Sequence, residues 1–181
     1  MVSVAVYVGL DYHSDSIQVC VMTADGQTLR NRRVTNEVGA VRECVKTVVR
    51  SGDVVLVRGV AIEACCGAAD LATALADATE WSVKLAHAGA VRRLKAGRDK
   101  TDHGDAWHLA NLLRTDYLPE VWLADDATRQ TAERLIARKL EGKALTPKDF
   151  KEYDEIVSDI IENLKTLHLN NARIETLVEQ L

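Results

Sequence analysis

Val4-Ala5-Val6-Tyr7-Val8-Gly9-Leu10-Asp11 is a near-continuous apolar run closed by an acid. Without polar alternation, such a run predicts a central strand covered on both faces. Ile17–Met22 reads as a second strand, and Ala24-Asp25-Gly26 separates it from a third, Thr28–Val34. Asp-Gly between two strand-like runs is a hairpin signal. Glu37–Arg50 has helical apolar spacing (Val38, Val41, Val45, Val48, Val49) and a stop at Ser51-Gly52. Val54–Val57, broken at Arg58-Gly59 and resumed at Val60–Glu63, predicts a fourth strand region. A helix over Gly67–Ala78, a strand over Trp81–Ala86 and a helix over Asp102–Arg114 complete the pattern. A hairpin series followed by alternating helices and strands predicts the α/β class, a mixed sheet with flanking helices.

Pro119 and Leu123-Ala124-Asp125-Asp126 mark the expected edge of this first domain, residues 1–124, before a helical region over 125–181. Ala127–Leu140 reads as one helix. A second starts with Thr146 as cap, Pro147 in the first turn and Asp149 behind it. Its apolar seam (Tyr153, Val157, Ile160, Leu164, Leu167, Ile174, Val178, Leu181, with Asn171 among them) alternates steps of four and three. That is a coiled-coil heptad, and it predicts a homodimer or higher homo-oligomer through 153–181. An antiparallel hairpin with 127–140 is the other arrangement such a seam permits.

No run nears the ~18 apolar residues of a membrane span, and Met1–Tyr7 lacks the basic start of a signal peptide. A cytoplasmic protein is expected. Cys20, Cys44, Cys65 and Cys66 have neither C-x-x-C pairing nor a disulfide framework and read as reduced thiols. Eight aromatic side chains in 181 residues argue against a base-stacking sheet. The net charge of −4 hides a gradient. Lys84, Arg92, Arg93, Lys95, Arg98 and Lys100 face only Asp99 within 84–100, a basic segment suited to nucleic-acid phosphates.

Asp11 follows the first strand, and Glu63 ends the fourth. Asp102 and Asp105, three apart, share one face of a helix. Four carboxylates brought together at strand ends would repel one another unless neutralised, and Mg²⁺ or Mn²⁺ does this through carboxylate oxygens. Two such ions can clamp the attacking and leaving oxygens of a phosphoryl transfer. Actin-like sugar kinases also begin with a strand and an Asp, but Tyr12-His13-Ser14 stands here in place of their phosphate loop.

Gly9-Leu10-Asp11, Ile62-Glu63-Ala64 with Gly67, and Lys100-Thr101-Asp102-His103-Gly104-Asp105-Ala106 with Leu109-Ala110 resemble the DEDD-type transposases typified by insertion sequence 110. The pilin-gene-inverting recombinases are relatives of that family. The resemblance covers roughly residues 4–125. It implies an RNase H-like, RuvC-like fold and a catalytic, metal-binding tetrad of Asp11, Glu63, Asp102 and Asp105. It also implies DNA as substrate, a structured guide RNA as partner, and a further serine-containing transposase domain absent from this chain. A stand-alone RuvC-like structure-selective DNA endonuclease and a non-catalytic nucleic-acid-binding dimerisation module are the alternatives.

Overall fold

The structure is a computed structural model describing residues 2–50, 52–95, 101–124, 126–158 and residue 162. The chain divides into two compact units, Met1–Val121 and Trp122–Leu181.

The first unit is built on a six-stranded sheet of order β3-β2-β1-β4-β5-β6. Strands β1 (Ser3–Tyr12), β2 (Ser16–Thr23) and β3 (Thr28–Thr35) form the antiparallel meander expected from the sequence. Gly26, at φ +91°, makes the turn that Asp-Gly signalled. Strands β4 (Val54–Glu63) and β5 (Val83–Ala86) then add in parallel to β1, and the two-residue β6 (Glu120–Val121) closes the edge antiparallel. Val6, Val8 and Leu10 are fully buried, as the apolar run at the chain start requires of a central strand. The mixed sheet and its flanking helices fit an RNase H-like fold.

Several details differ from expectation. The break at Arg58-Gly59 is a register shift inside one continuous strand: Val57 pairs with Val6 and Gly59 with Tyr7, leaving Arg58 as the extra residue. Helix α1 spans only Val38–Lys46, ending well before Ser51-Gly52. Strand β5 begins at Val83 rather than Trp81. Helix α3 (Ala88–Leu94) and strand β6 fall in segments whose periodicity was too short to signal them.

Helices α1 and α2 (Ala68–Ala78) bury Val41, Cys44, Val45, Leu71 and Leu75. On the opposite face, α4 (Asp102–Arg114) crosses the central strands. Its Leu109 and Leu112 share a cluster with Ala61 of β4, Ala86 of β5 and Val91 of α3. Gly9 lets α4 lie directly on β1, since a Cβ there would overlap the Ala106 carbonyl oxygen. Gly59 plays a milder version of this part, with Leu113 3.3 Å from where its Cβ would stand. Cys20 and Cys44 are buried, and burial pushes the Cys20 thiol up to about 12. Among the described residues no helix is long and apolar enough to cross a membrane.

The second unit contains α5 (Asp126–Leu140) and a helix α6 over 147–158. Thr146 caps α6 as its sequence predicted. The Asp149 carboxylate accepts from the Thr146 backbone and hydroxyl at 2.7 Å each, and the Asp149 amide donates back to that hydroxyl at 3.3 Å. Arg134 of α5 donates to Asp149 at 2.8 Å and also binds Glu152, tying the two helices together. The seam positions from Ile160 onward lie outside the described residues. Thr146, followed by Arg134, holds the Asp149 carboxyl well below the usual carboxylate range. A depressed folded-state value means stabilisation that is complete above the unfolded value and is lost on acidification. Circular dichroism of Asp149→Asn is expected to show a shallower loss of helix than the parent below about pH 4. Parallel acid profiles would count against that role.

Candidate metal and nucleic-acid site

The pairing register sets the floor of the site. Asp11 pairs with Gln18, and Gln18 with Arg33, so three side chains form a row across β1, β2 and β3. On the other side, the parallel pairing that ends at Leu10 and Ile62 brings Glu63 level with Asp11. Side chains alternate along a strand. Asp11 therefore shares the face of Gly9, which meets α4, and Glu63 shares the face of Ala61, which packs under Leu109. Both acids face α4 at the carboxyl ends of their strands.

Helix α4 starts above this row. Thr101 caps it, its hydroxyl accepting from the Gly104 amide at 3.1 Å, and Asp102 and Asp105 occupy its first turn. Acids there are favoured by the helix dipole, which offsets part of their mutual repulsion. The helix start is also braced from the sheet. Gln18 donates to Asn31 at 2.7 Å, and Asn31 donates to the His103 carbonyl at 2.9 Å.

Three basic side chains sit among these acids. The His13 Nε2 atom lies 3.2 Å from Asp11 Oδ2 and 3.5 Å from Asp102 Oδ1. Arg33 pairs with the other Asp102 oxygen, Oδ2, and Lys95 pairs with Asp105 Oδ1. Burial raises the Asp11 carboxyl above its ordinary value, His13 opposes that rise, and Asp105 and Asp102 add to it. Partial desolvation first, and the charges of Glu63 and Asp11 after it, push the Cys65 thiol up. Asp11 thus feels Asp102 and Asp105, while Glu63 and Asp11 share an effect on Cys65.

Asp11, His13 and Asp102 each offer one ligand atom, all within 4.8 Å of one another. Two hard carboxylate oxygens at that spacing suit a divalent cation. Gly67, at φ +86°, lies after β4, and the Tyr12 hydroxyl packs where a Cβ would stand. Only glycine meets both demands.

The basic residues singled out in the sequence separate. Lys84 pairs with Glu120, and Lys95 is spent on Asp105. Arg92 and Arg93 are exposed in the last turn of α3, where cations also suit the helix dipole. Arg98 and Lys100 lie outside the described residues. Helix α3 is launched from the end of β5: the His87 amide donates to the Pro119 carbonyl at 2.7 Å, and His87 Nδ1 accepts from Ala90 at 3.1 Å. Neither His13 nor Arg33 was among the site residues expected from the sequence. The signal for His13 was its place two residues after Asp11 on an extended chain, which puts both on one face.

The mixed sheet with its flanking helices fits an RNase H-like fold, with Asp11 and Glu63 near the carboxyl ends of β1 and β4. The family model for DEDD transposases of the insertion sequence 110 type, described as transposase, matches residues 8–138, and the chain belongs to that family.

Proposed function

We propose that this chain is the RuvC-like part of a cytoplasmic, metal-dependent transposase or recombinase that cleaves and exchanges DNA strands under the direction of a structured guide RNA. Asp11, Glu63, Asp102 and Asp105 are its catalytic tetrad, and Mg²⁺ or Mn²⁺ its cofactor. What supports this reading is that Asp11 and Asp102 offer oxygens within one ion's reach, with Glu63 ending the strand paired to β1. When bound, the metal polarises the scissile phosphate and lowers the pKa of the attacking hydroxyl or water.

The chain's own residues do the rest. Asp11 and Asp102 orient their oxygens into the site, with Arg33 fixing the far oxygen of Asp102. Lys95 neutralises Asp105 until a phosphate approaches. Arg92 and Arg93, exposed in the last turn of α3, supply phosphate contacts, with Lys84, Arg98 and Lys100 as the other basic residues of the segment. Self-association through 153–181 would bring two such sites to one DNA.

The test is cleavage of branched and terminal-dinucleotide DNA by the chain with its guide RNA, with and without metal. Metal-dependent cutting lost on Glu63→Gln supports the proposal. Cutting that survives this substitution, or that needs no metal, overturns it. Products with free 5′-phosphates and no strand joining would instead indicate the stand-alone nuclease.

The double substitution Arg92→Ala/Arg93→Ala should weaken DNA or RNA binding and reduce the slope of log affinity against log salt. Each lost phosphate contact removes about one unit of slope. Identical binding at every salt concentration would leave this turn without a part in nucleic-acid contact.

A further inference from the structure

The group of donors that comes within one ion's reach includes a nitrogen outside the tetrad. We infer that His13 is itself a metal ligand, and that it makes the site prefer Mn²⁺ to Mg²⁺; this rests on the metal-site reading above. Ligands adjacent on an octahedral ion with bonds of about 2.1–2.2 Å stand about 3 Å apart. His13 Nε2 stands 3.2 Å from Asp11 Oδ2 and 3.5 Å from Asp102 Oδ1, close to that edge length.

These atoms are aimed by contacts to other atoms of the same residues, and without an ion Nε2 hydrogen-bonds Asp11 Oδ2, a contact that a bound cation would replace. Arg33 holds Asp102 by Oδ2, so Oδ1 is the oxygen turned toward His13. The His13 backbone is pinned as well: its amide donates to the Ser16 carbonyl at 2.9 Å, and Asn36 donates to the carbonyls of His13 at 3.2 Å and Ser14 at 3.1 Å. A ring carried on a fixed turn, two residues beyond Asp11, presents Nε2 to the same point as the Asp11 carboxylate. With 46% of its side chain exposed, the ring remains open to an incoming ion.

The nitrogen has a consequence for ion choice. Mg²⁺ keeps oxygen ligands and sheds water reluctantly, whereas first-row transition ions accept imidazole readily. Two carboxylates with one imidazole therefore suit Mn²⁺, which tolerates both donor types.

Pulsed electron paramagnetic resonance of the Mn²⁺-loaded full chain reads the ligand directly, because a coordinated imidazole imprints ¹⁴N modulation on the manganese signal. The expected result is ¹⁴N modulation in the parent, its loss in His13→Gln, and its retention in His103→Ala, a change to an exposed neighbour on α4. Mn²⁺ affinity should fall about tenfold or more in His13→Gln while Mg²⁺ affinity changes little. Bound Mn²⁺ without ¹⁴N modulation in the parent, or modulation that persists in a folded His13→Gln or His13→Asn, overturns the ligand role and leaves the carboxylate site standing. If no Mn²⁺ binds that Asp11→Asn removes, the metal-site reading itself falls. The parent's spectrum decides the matter even if both His13 variants fail to fold by circular dichroism.

Discussion

Asp11→Asn is expected to lower metal-dependent DNA cleavage by about a thousandfold or more, and at the same time to stabilise the metal-free protein at neutral pH. Under the proposed function, the rate loss follows from removing one metal-holding carboxylate, on the order of 4 kcal/mol of transition-state stabilisation. The stability gain follows from the carboxyl's surroundings. Burial, and after it Asp105 and Asp102, raise the Asp11 carboxyl above its ordinary value against the opposing pull of His13. A raised folded-state value means that this group favours the fold only below its unfolded value, and that the advantage is gone once pH rises through the folded value. At neutral pH the ionised group is a burden that an amide does not carry. Thermal melts should therefore show a higher midpoint for the metal-free variant than for the metal-free parent. About 10 mM Mg²⁺ or Mn²⁺ should raise the parent and leave the variant unmoved, since only the parent retains the site. A variant that cleaves at the parental rate, or that keeps the parent's metal response, would sink the assignment.

Gly9→Ala is the substitution expected to damage the fold most. The new Cβ would overlap the Ala106 carbonyl oxygen and stand 2.5 Å from the Ala110 amide nitrogen. Both neighbours are helix backbone, so no side chain can swing aside. Either α4 lifts from β1 or the strand bends. Overpacking typically costs 1–3 kcal/mol, and a clash with backbone belongs at the top of that range, about 3 kcal/mol or a midpoint lowered by roughly 10 °C. Because α4 carries Asp102 and Asp105, the metal response should weaken along with the melting temperature. Gly39→Ala is the matched control. It lies in α1 with nothing within 4 Å of its Cβ position, so alanine should be neutral or stabilising by about 0.5–1 kcal/mol. Equal effects at the two positions would refute the close-approach account.

Much of the architecture was readable because burial leaves a local trace. A strand covered on both faces needs an unbroken apolar run, and Val4–Leu10 has one. Asp-Gly marks its own turn, and Thr146 with Pro147 and Asp149 marks its own helix start. The helix expected over Asp102–Arg114 spans those residues, with Thr101 as its cap. Helix α3 and strand β6 left no such trace. Seven and two residues are too few to establish a period, and both are held by neighbours: α3 by Val91 in the Leu109 cluster, β6 by pairing to β5.

At the site, the sequence alone determined which acids to consider, since Asp11 and Glu63 end strands and Asp102 and Asp105 are one turn apart on a helix. It also determined that 84–100 is basic. What it could not determine was which base meets which acid. Lys95 and Lys84 read as equals of Arg92 and Arg93, yet the first two are engaged by Asp105 and Glu120 while the arginines stay exposed. Arg33 lies 69 residues from Asp102 along the chain and reaches it only because β3 pairs with β2 in the register that sets Arg33 beside Gln18 and Gln18 beside Asp11. Local periodicity records whether a residue faces the core. The partner of a charge is chosen by strand register and by how closely α4 lies on Gly9, and those are properties of distant segments packed together.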